Sequence, residues 1–384
     1  MRQLNKSFHR NQSGFSLIEL IVYMGILGIL MTLVVMSFTK TMQRSAQQTN
    51  IAETKIETNV GLEILRADLE HAGFGLPWIW QTPALLNYNE PNPLADVPNI
   101  PRALISADTS ASSLNNSDYL VIRATNATRG VSSQKCGYVG RAGDATHSIL
   151  VQSTCEDSFA TGDRVIVIRP EIGSGEYRQL VMDGATYFTA IAAGTSLADD
   201  DFAPIDTPND PDGEKYLVYG LNDDANIRRP FNRTDYYISN ANVPTHCAPN
   251  TGVLVKATVN QADDNFTIMP IVDCVADFQV LYYRDTNGDG GWDTRENASG
   301  LSALTAEQIR NQVKAIRFYV LTHEGGIDRS FTFTNGTVNV GEVNAAGTTL
   351  LAGRTFDLSA TIGGDWRNYR WKVDSMAITP KNIK

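Results

Sequence analysis

From Leu20 to Phe38 the chain runs nineteen residues without a charged side chain. At a helical rise of about 1.5 Å per residue, that length comes close to the thickness of a bilayer's hydrocarbon core, so the segment can cross a membrane as one helix. Arg2, Lys6 and Arg10 precede it, with no acid among the first fourteen residues. That asymmetry holds the amino terminus in the cytoplasm and sends the remainder outward. A secretory signal would carry a shorter apolar core and a small-residue cleavage site, whereas Phe38 is followed by Thr-Lys-Thr-Met-Gln-Arg. An uncleaved signal anchor is the competing reading.

The polar-to-apolar junction separates the two. Gly14 precedes Phe15, and a lone acid, Glu19, stands at the start of the apolar run. A carboxylate there is expensive and marks a functional position that needs a partner. Glycine, a hydrophobic residue and glutamate at this spacing resemble the class III signal of type IV prepilins. The resemblance implies that residues 1–14 are a leader, that a prepilin peptidase cuts after Gly14, and that the new amino terminus on Phe15 is methylated. Glycine suits the cut because it lets an extended backbone enter a narrow protease site. Glu19 is then expected to pair with the amino group of a neighbouring Phe15 at an inner-membrane assembly platform, neutralising both charges where the dielectric is low.

After Phe38 the pattern stays helical, with Ile56, Val60, Ile64, Leu65 and Leu69 recurring among charged residues. Residues 15–39 read as the membrane half of a spine helix and 40–72 as its outer half. Gly73, Gly75 and Pro77 stop it near Ala72. Such a spine, roughly 87 Å at standard rise, makes sense packed against other spines. Gly25 and Gly28 read as close-packing points or as incidental membrane glycines.

Beyond Trp80 the period changes to short β-like runs at 119–123, 164–168, 217–219, 253–257, 278–283 and 316–321, separated by Gly, Pro, Asn and Asp. The fold expected is α+β: a long amino-terminal helix followed by a large, mostly antiparallel β-rich head, pilin-like in outline. A short helix is expected from Thr305 to Gln312 with Thr305 as its cap. Residues 199–224 hold nine acids, one Lys215 and three prolines, and read as an exposed loop between head parts 80–198 and 225–384. Asp206, Asp210 and Asp212 are a weaker cation candidate inside it. Trp78 and Trp80 read as packing where spine meets head.

Cys136, Cys155, Cys247 and Cys274 show no metal-binding spacing. Of the three connectivities open to them, Cys136 with Cys155 and Cys247 with Cys274 is favoured, since each pair brackets a short strand-like stretch. Such bonds persist outside the reducing cytosol. The formal charge is -10, and removing the three basic residues of the leader makes it -13. That balance argues against bulk nucleic-acid binding while leaving room for a local basic patch.

The most specific chemical pattern is residues 285–296, which fit a twelve-residue calcium loop at every ligand position. Asp285, Asn287 and Asp289 would give side-chain oxygens and Gly291 a carbonyl. Asp293 would give a direct or water-bridged contact, Glu296 a bidentate carboxylate, and Gly290 the sharp turn. Calcium suits this all-oxygen set; a plain Asn-Gly and Asp-Gly turn is the alternative. His9, His71, His147, His246 and His323 are scattered, Gly173-Ser-Gly175 is only a turn signal, and no catalytic constellation emerges. No enzyme activity is expected.

Further residues narrow the resemblance: Leu65-Arg-Ala-Asp-Leu-Glu-His-Ala-Gly-Phe74, Tyr236-Tyr-Ile238 before a cysteine, the loop after Phe278, and a closing strand at 369–372. Together they are similar to the PilW group of minor pilins. This implies a low-abundance subunit near the tip of an extracellular pilus that primes assembly and supports adhesion, twitching motility or DNA uptake. Its implied partners are other pilins and a tip adhesin, and before assembly it lies in the inner membrane with its head in the periplasm. A minor pseudopilin of a type II secretion system and a membrane-anchored adhesin that never polymerises are the alternatives.

Overall fold

The computed structural model describes residues 14, 16–81, 88–96, 100–141, 148–155, 157–172, 176–192, 196–204, 214–223 and 226–383. Residues 1–13 and Phe15 lie outside these, as do Asp206, Asp210, Asp212, His147 and the 173–175 turn. The chain divides into two compact units, residues 1–53 and 54–384.

A single helix spans Leu17–Glu70. It has no proline, and it ends in a turn where Gly73 and Gly75 take φ of +82° and +68°, a region that strains any residue with a Cβ. Within the second unit Leu62, Leu65, Leu69 and Ala72 are buried, whereas Ile56 and Val60 of the expected stripe stay exposed at 63% and 56%. The face turned to the sheets is that of Leu62, Leu65 and Leu69. At Gly61 the helix backbone closes so tightly on strand Phe266–Arg284 that a Cβ would fall 1.9 Å from the Ile271 carbonyl oxygen.

Among the described residues the second unit holds two large sheets and a hairpin, and their pairing is antiparallel except between residues 79–80 and 179–180. The first sheet runs Ile79–Trp80, Glu176–Leu180, Arg164–Ile172, Tyr216–Asn222, Cys136–Arg141 and Ser148–Ser153 in spatial order, with Thr189–Ala190 beside Arg164–Ile172. The second runs Arg370–Ile378, Val313–Glu324, Phe266–Arg284, Gly252–Val259, Asn232–Ser239, Tyr119–Ala124 and Leu104–Ala107, with Thr294–Glu296 also on Phe266–Arg284. Thr337–Val343 and Leu350–Asp357 form the hairpin. The main core joins helix residues Leu62, Leu65 and Leu69 to Ile166 and Leu180 of the first sheet and to Leu254, Phe278 and Phe318 of the second. A second core under the hairpin contains Leu281, Tyr319, Val340, Phe356 and Trp366.

The division of the head differs from the one expected. Tyr216–Asn222, inside the acidic stretch 199–224, is a central strand of the first sheet. Its continuous apolar run, Tyr216 to Leu221, buries on both faces, and that outweighs the local excess of acids. Leu104–Ala107 and Tyr119–Ala124, from the first part of the head, belong to the second sheet. The short helix is Ala306–Gln312, closed by a capping box in which Thr305 and Gln308 satisfy each other's backbone N–H groups.

Candidate functional site

At the amino-terminal end Glu19 is the third residue of the helix, and its Oε2 accepts the Ser16 backbone N–H at 3.0 Å. It thus occupies the acidic position of a capping arrangement, where a carboxylate also meets the positive end of the helix dipole. The large apolar side chains between Leu17 and Phe38 are exposed, and Cβ atoms added at Gly25 or Gly28 would meet nothing within 4 Å. The helix is long and apolar enough to cross a membrane. Gly14 is exposed next to this turn.

At the other end of the same helix, inside the second unit, Asp68 is buried and takes three donors. Arg129 Nε reaches Oδ1 at 2.8 Å, the Tyr236 hydroxyl reaches Oδ2 at 2.5 Å, and Lys256 Nζ reaches the same oxygen. Tyr236 and Lys256 are directly opposed on adjacent strands, so both project from one face towards the helix. Burial, then the neighbouring Asp68 charge, pushes the Tyr236 hydroxyl well above its ordinary range. This cluster fixes the helix end on the second sheet.

A second buried network straps residues 88–96 and 100–102 over strands Tyr119–Ala124 and Asn232–Ser239. Glu90 accepts Arg123 Nε and Nη2 at 2.7 and 2.8 Å, while Asp235 accepts Arg233 and the Tyr119 hydroxyl. The same arginines donate to the carbonyls of Pro91 and Leu94. Burial pushes the Glu90 carboxyl up, but Arg123, Arg233 and the Asp96 N–H together hold the group below the usual carboxylate range. Sequence reading missed both networks because charged residues ordinarily signal an exposed face. The only available signal was three arginines, Arg123, Arg229 and Arg233, within or just before apolar strand runs.

The loop 285–296 follows a strand, as expected. Asp285 accepts the Gly288 and Gly290 N–H groups, Asn287 Oδ1 that of Asp289, and Asp289 Oδ1 that of Gly291. Gly288 and Gly290 take the positive φ those turns need. Asp293 instead accepts the backbone N–H groups of Thr286 and Asn287. The Thr294 and Thr286 hydroxyls hold its carboxyl down to about 2. Glu296 pairs with Arg284 across the strand ladder. The first half of the predicted donor set therefore shares one turn, and the last acid is turned to an arginine. Among the described residues, the only three His, Cys, Asp or Glu donors within 4.8 Å of one another are His246, Cys247 and Cys274. Cys247 is bonded to Cys274, and Cys136 to Cys155.

Of the histidines, His323 is buried against Tyr369 and Trp371. Its Nε2 accepts the Ala248 N–H at 2.8 Å, which puts the ring proton on Nδ1, where it meets the Gly325 carbonyl. Burial pulls its pKa down to about 4.

Residues 9–35 match the prokaryotic N-terminal methylation motif, and residues 235–379 match the Type IV Pilus-assembly protein W family. Over residues 235–379 the chain is similar to PilW. The PilW match takes in the second sheet from Asp235 onward, the Cys247–Cys274 bond, the 285–296 loop and the hairpin, together with the last strand. No curated protein and no solved structure matches the chain.

Proposed function

We propose that this PilW-like chain is a minor pilin that primes assembly of a type IV pilus and sits near its tip, where it supports adhesion, motility or DNA uptake. The observation that carries the reading is one helix with a methylation motif and an exposed apolar length at its start, and a PilW-type body locked to its end through Asp68. The role is structural, with the head outside the inner membrane and other pilins, the prepilin peptidase and the assembly platform as partners. A 331-residue second unit would crowd a shaft repeated thousands of times but fits at an end. Electron microscopy of filaments carrying labelled chain tests this. Label at filament ends is expected; label spread evenly along the shaft, or a defect confined to protein secretion, would overturn it.

We propose separately that residues 285–296 bind calcium through Asp285, Asn287, Asp289, the Gly291 carbonyl, Asp293 and Glu296. The successive turns of the first half support this, and completing the set requires Glu296 to leave Arg284. A ligand that binds only the folded state must raise the unfolding temperature. Calorimetry with calcium and with chelator is expected to show that rise, lost in Asp285→Asn; identical scans would remove calcium from the account.

A further inference from the structure

Trp78 lies just past the end of the long helix, half-buried, between two guanidinium groups. Arg178 places its Cζ 5.1 Å from the ring centroid and Arg310 places its Cζ 4.7 Å away. The placement is built from three elements. The Trp78 N–H donates to the Arg178 carbonyl at 2.7 Å, Arg178 sits in strand Glu176–Leu180, and Arg310 is in the last turn of the capped helix Ala306–Gln312. Beside them is a small cleft bounded by Leu76, Pro77, Pro101, Ala306 and Asn382.

Most of the other half-buried and buried arginines of the head sit against a carboxylate, although Arg317 instead meets the Ser375 hydroxyl and the Tyr319 ring. Arg102, Arg123, Arg229, Arg233 and Arg354 all have carboxylate partners. Neither Arg178 nor Arg310 has an ion pair or a side-chain hydrogen bond among the described residues. Burial lowers the basicity of Arg310; Glu307, one turn earlier, acts against this, and the charge of Arg178 adds to it. Two like charges are thus held against one ring, their N–H forks open, with apolar walls alongside. Stacking on an aromatic face fixes a guanidinium's plane while leaving its edge free for a bidentate oxyanion.

We propose that the Arg178–Trp78–Arg310 stack is a docking site for a carboxylate on an acidic segment of a partner protein, with apolar residues beside the acid to meet Leu76, Pro77 and Pro101. A carboxylate on a short segment is favoured over a polyphosphate because the chain as a whole carries a net charge of -10, which repels an extended anion but not one side chain entering a local cationic notch. The site stands independently of the pilus reading, since it needs only the folded second unit.

The test is fluorescence anisotropy of the full chain in detergent with a labelled six-residue peptide bearing two glutamates flanked by leucines. Binding is expected to weaken at least tenfold in Arg178→Gln with Arg310→Gln, and to weaken steadily with added salt. A matched peptide with glutamines in place of the glutamates is expected not to bind the unaltered protein, a comparison that holds even if the double variant fails to fold. Equal binding of the two peptides, equal binding by a folded double variant, or displacement of the acidic peptide by a single-stranded oligonucleotide at lower concentration would each overturn the assignment.

Discussion

One helix serves two regions that meet opposite physical demands. In the first unit its apolar residues from Leu17 to Phe38 are exposed. In the second unit, Leu62, Leu65 and Leu69 of the same helix have vanishing exposure and face two sheets. The first region is stable only in an apolar surrounding that the chain itself does not supply, so its chemistry lies in what it meets. The second region satisfies itself, down to a buried aspartate with three donors. Changes in the first region should therefore alter placement and leave folding intact, and changes in the second should do the reverse.

The sharpest way to break that division is Glu19→Ala. On the assembly role proposed for Glu19, filament incorporation should fall to background while the unfolding temperature of the protein in detergent stays within about 1 °C of the parent. Normal incorporation would remove Glu19 from the account. Asp68→Ala should do the opposite, leaving Lys256 and Tyr236 buried without their acceptor at a cost of about 3–5 kcal/mol. Denaturant unfolding measures this, and adding Lys256→Met should restore part of the loss, because an uncompensated charge is the larger penalty.

A smaller effect follows from pH. His323 has a folded pKa of about 4 against an ordinary 6.5, so the unfolded chain takes up the proton first as pH falls. Its contribution is fully present above pH 6.5, is lost as the pH drops from there towards 4, and changes no further below. The whole loss is at most about 3 kcal/mol. Unfolding midpoints at pH 7.5 and 4.5 should converge in His323→Gln relative to the parent; an unchanged difference between the two pH values would show that other groups set the slope. The mildest substitutions are at glycines. Gly61→Ala must move the helix off Ile271 and should cost about 1–3 kcal/mol, whereas Gly25→Ala meets open space and should leave the unfolding midpoint where it was.

The same contrast explains what could be read from the residues alone. The methylation motif at residues 9–35 and the apolar helix were legible because membrane insertion imposes a strict pattern on composition. The strands at 119–123 and 253–257 and the cap at Thr305 were legible because each is decided within a few residues. The assignment of strands to sheets was not. Tyr119–Ala124 pairs with Asn232–Ser239 more than a hundred residues on, and carries its partner Leu104–Ala107 with it into the second sheet. The β-like run at 217–219 was legible inside the acidic stretch 199–224, but its central place was not, since burial on both faces is a property of the sheet and not of the stretch itself. Asp68 and Glu90 likewise read as solvated acids until Lys256 and Arg123 are placed beside them.

Strand Phe266–Arg284, nineteen residues long, has mechanical consequences. Three strands pair with it along its length, and the helix lies against it at Ile271. A pull along residues 54–70 would reach the body through that contact and through Asp68, where several hydrogen bonds must fail together. Loads shared in this way resist far better than bonds opened one by one, so residues 54–70 and the second sheet should part only together.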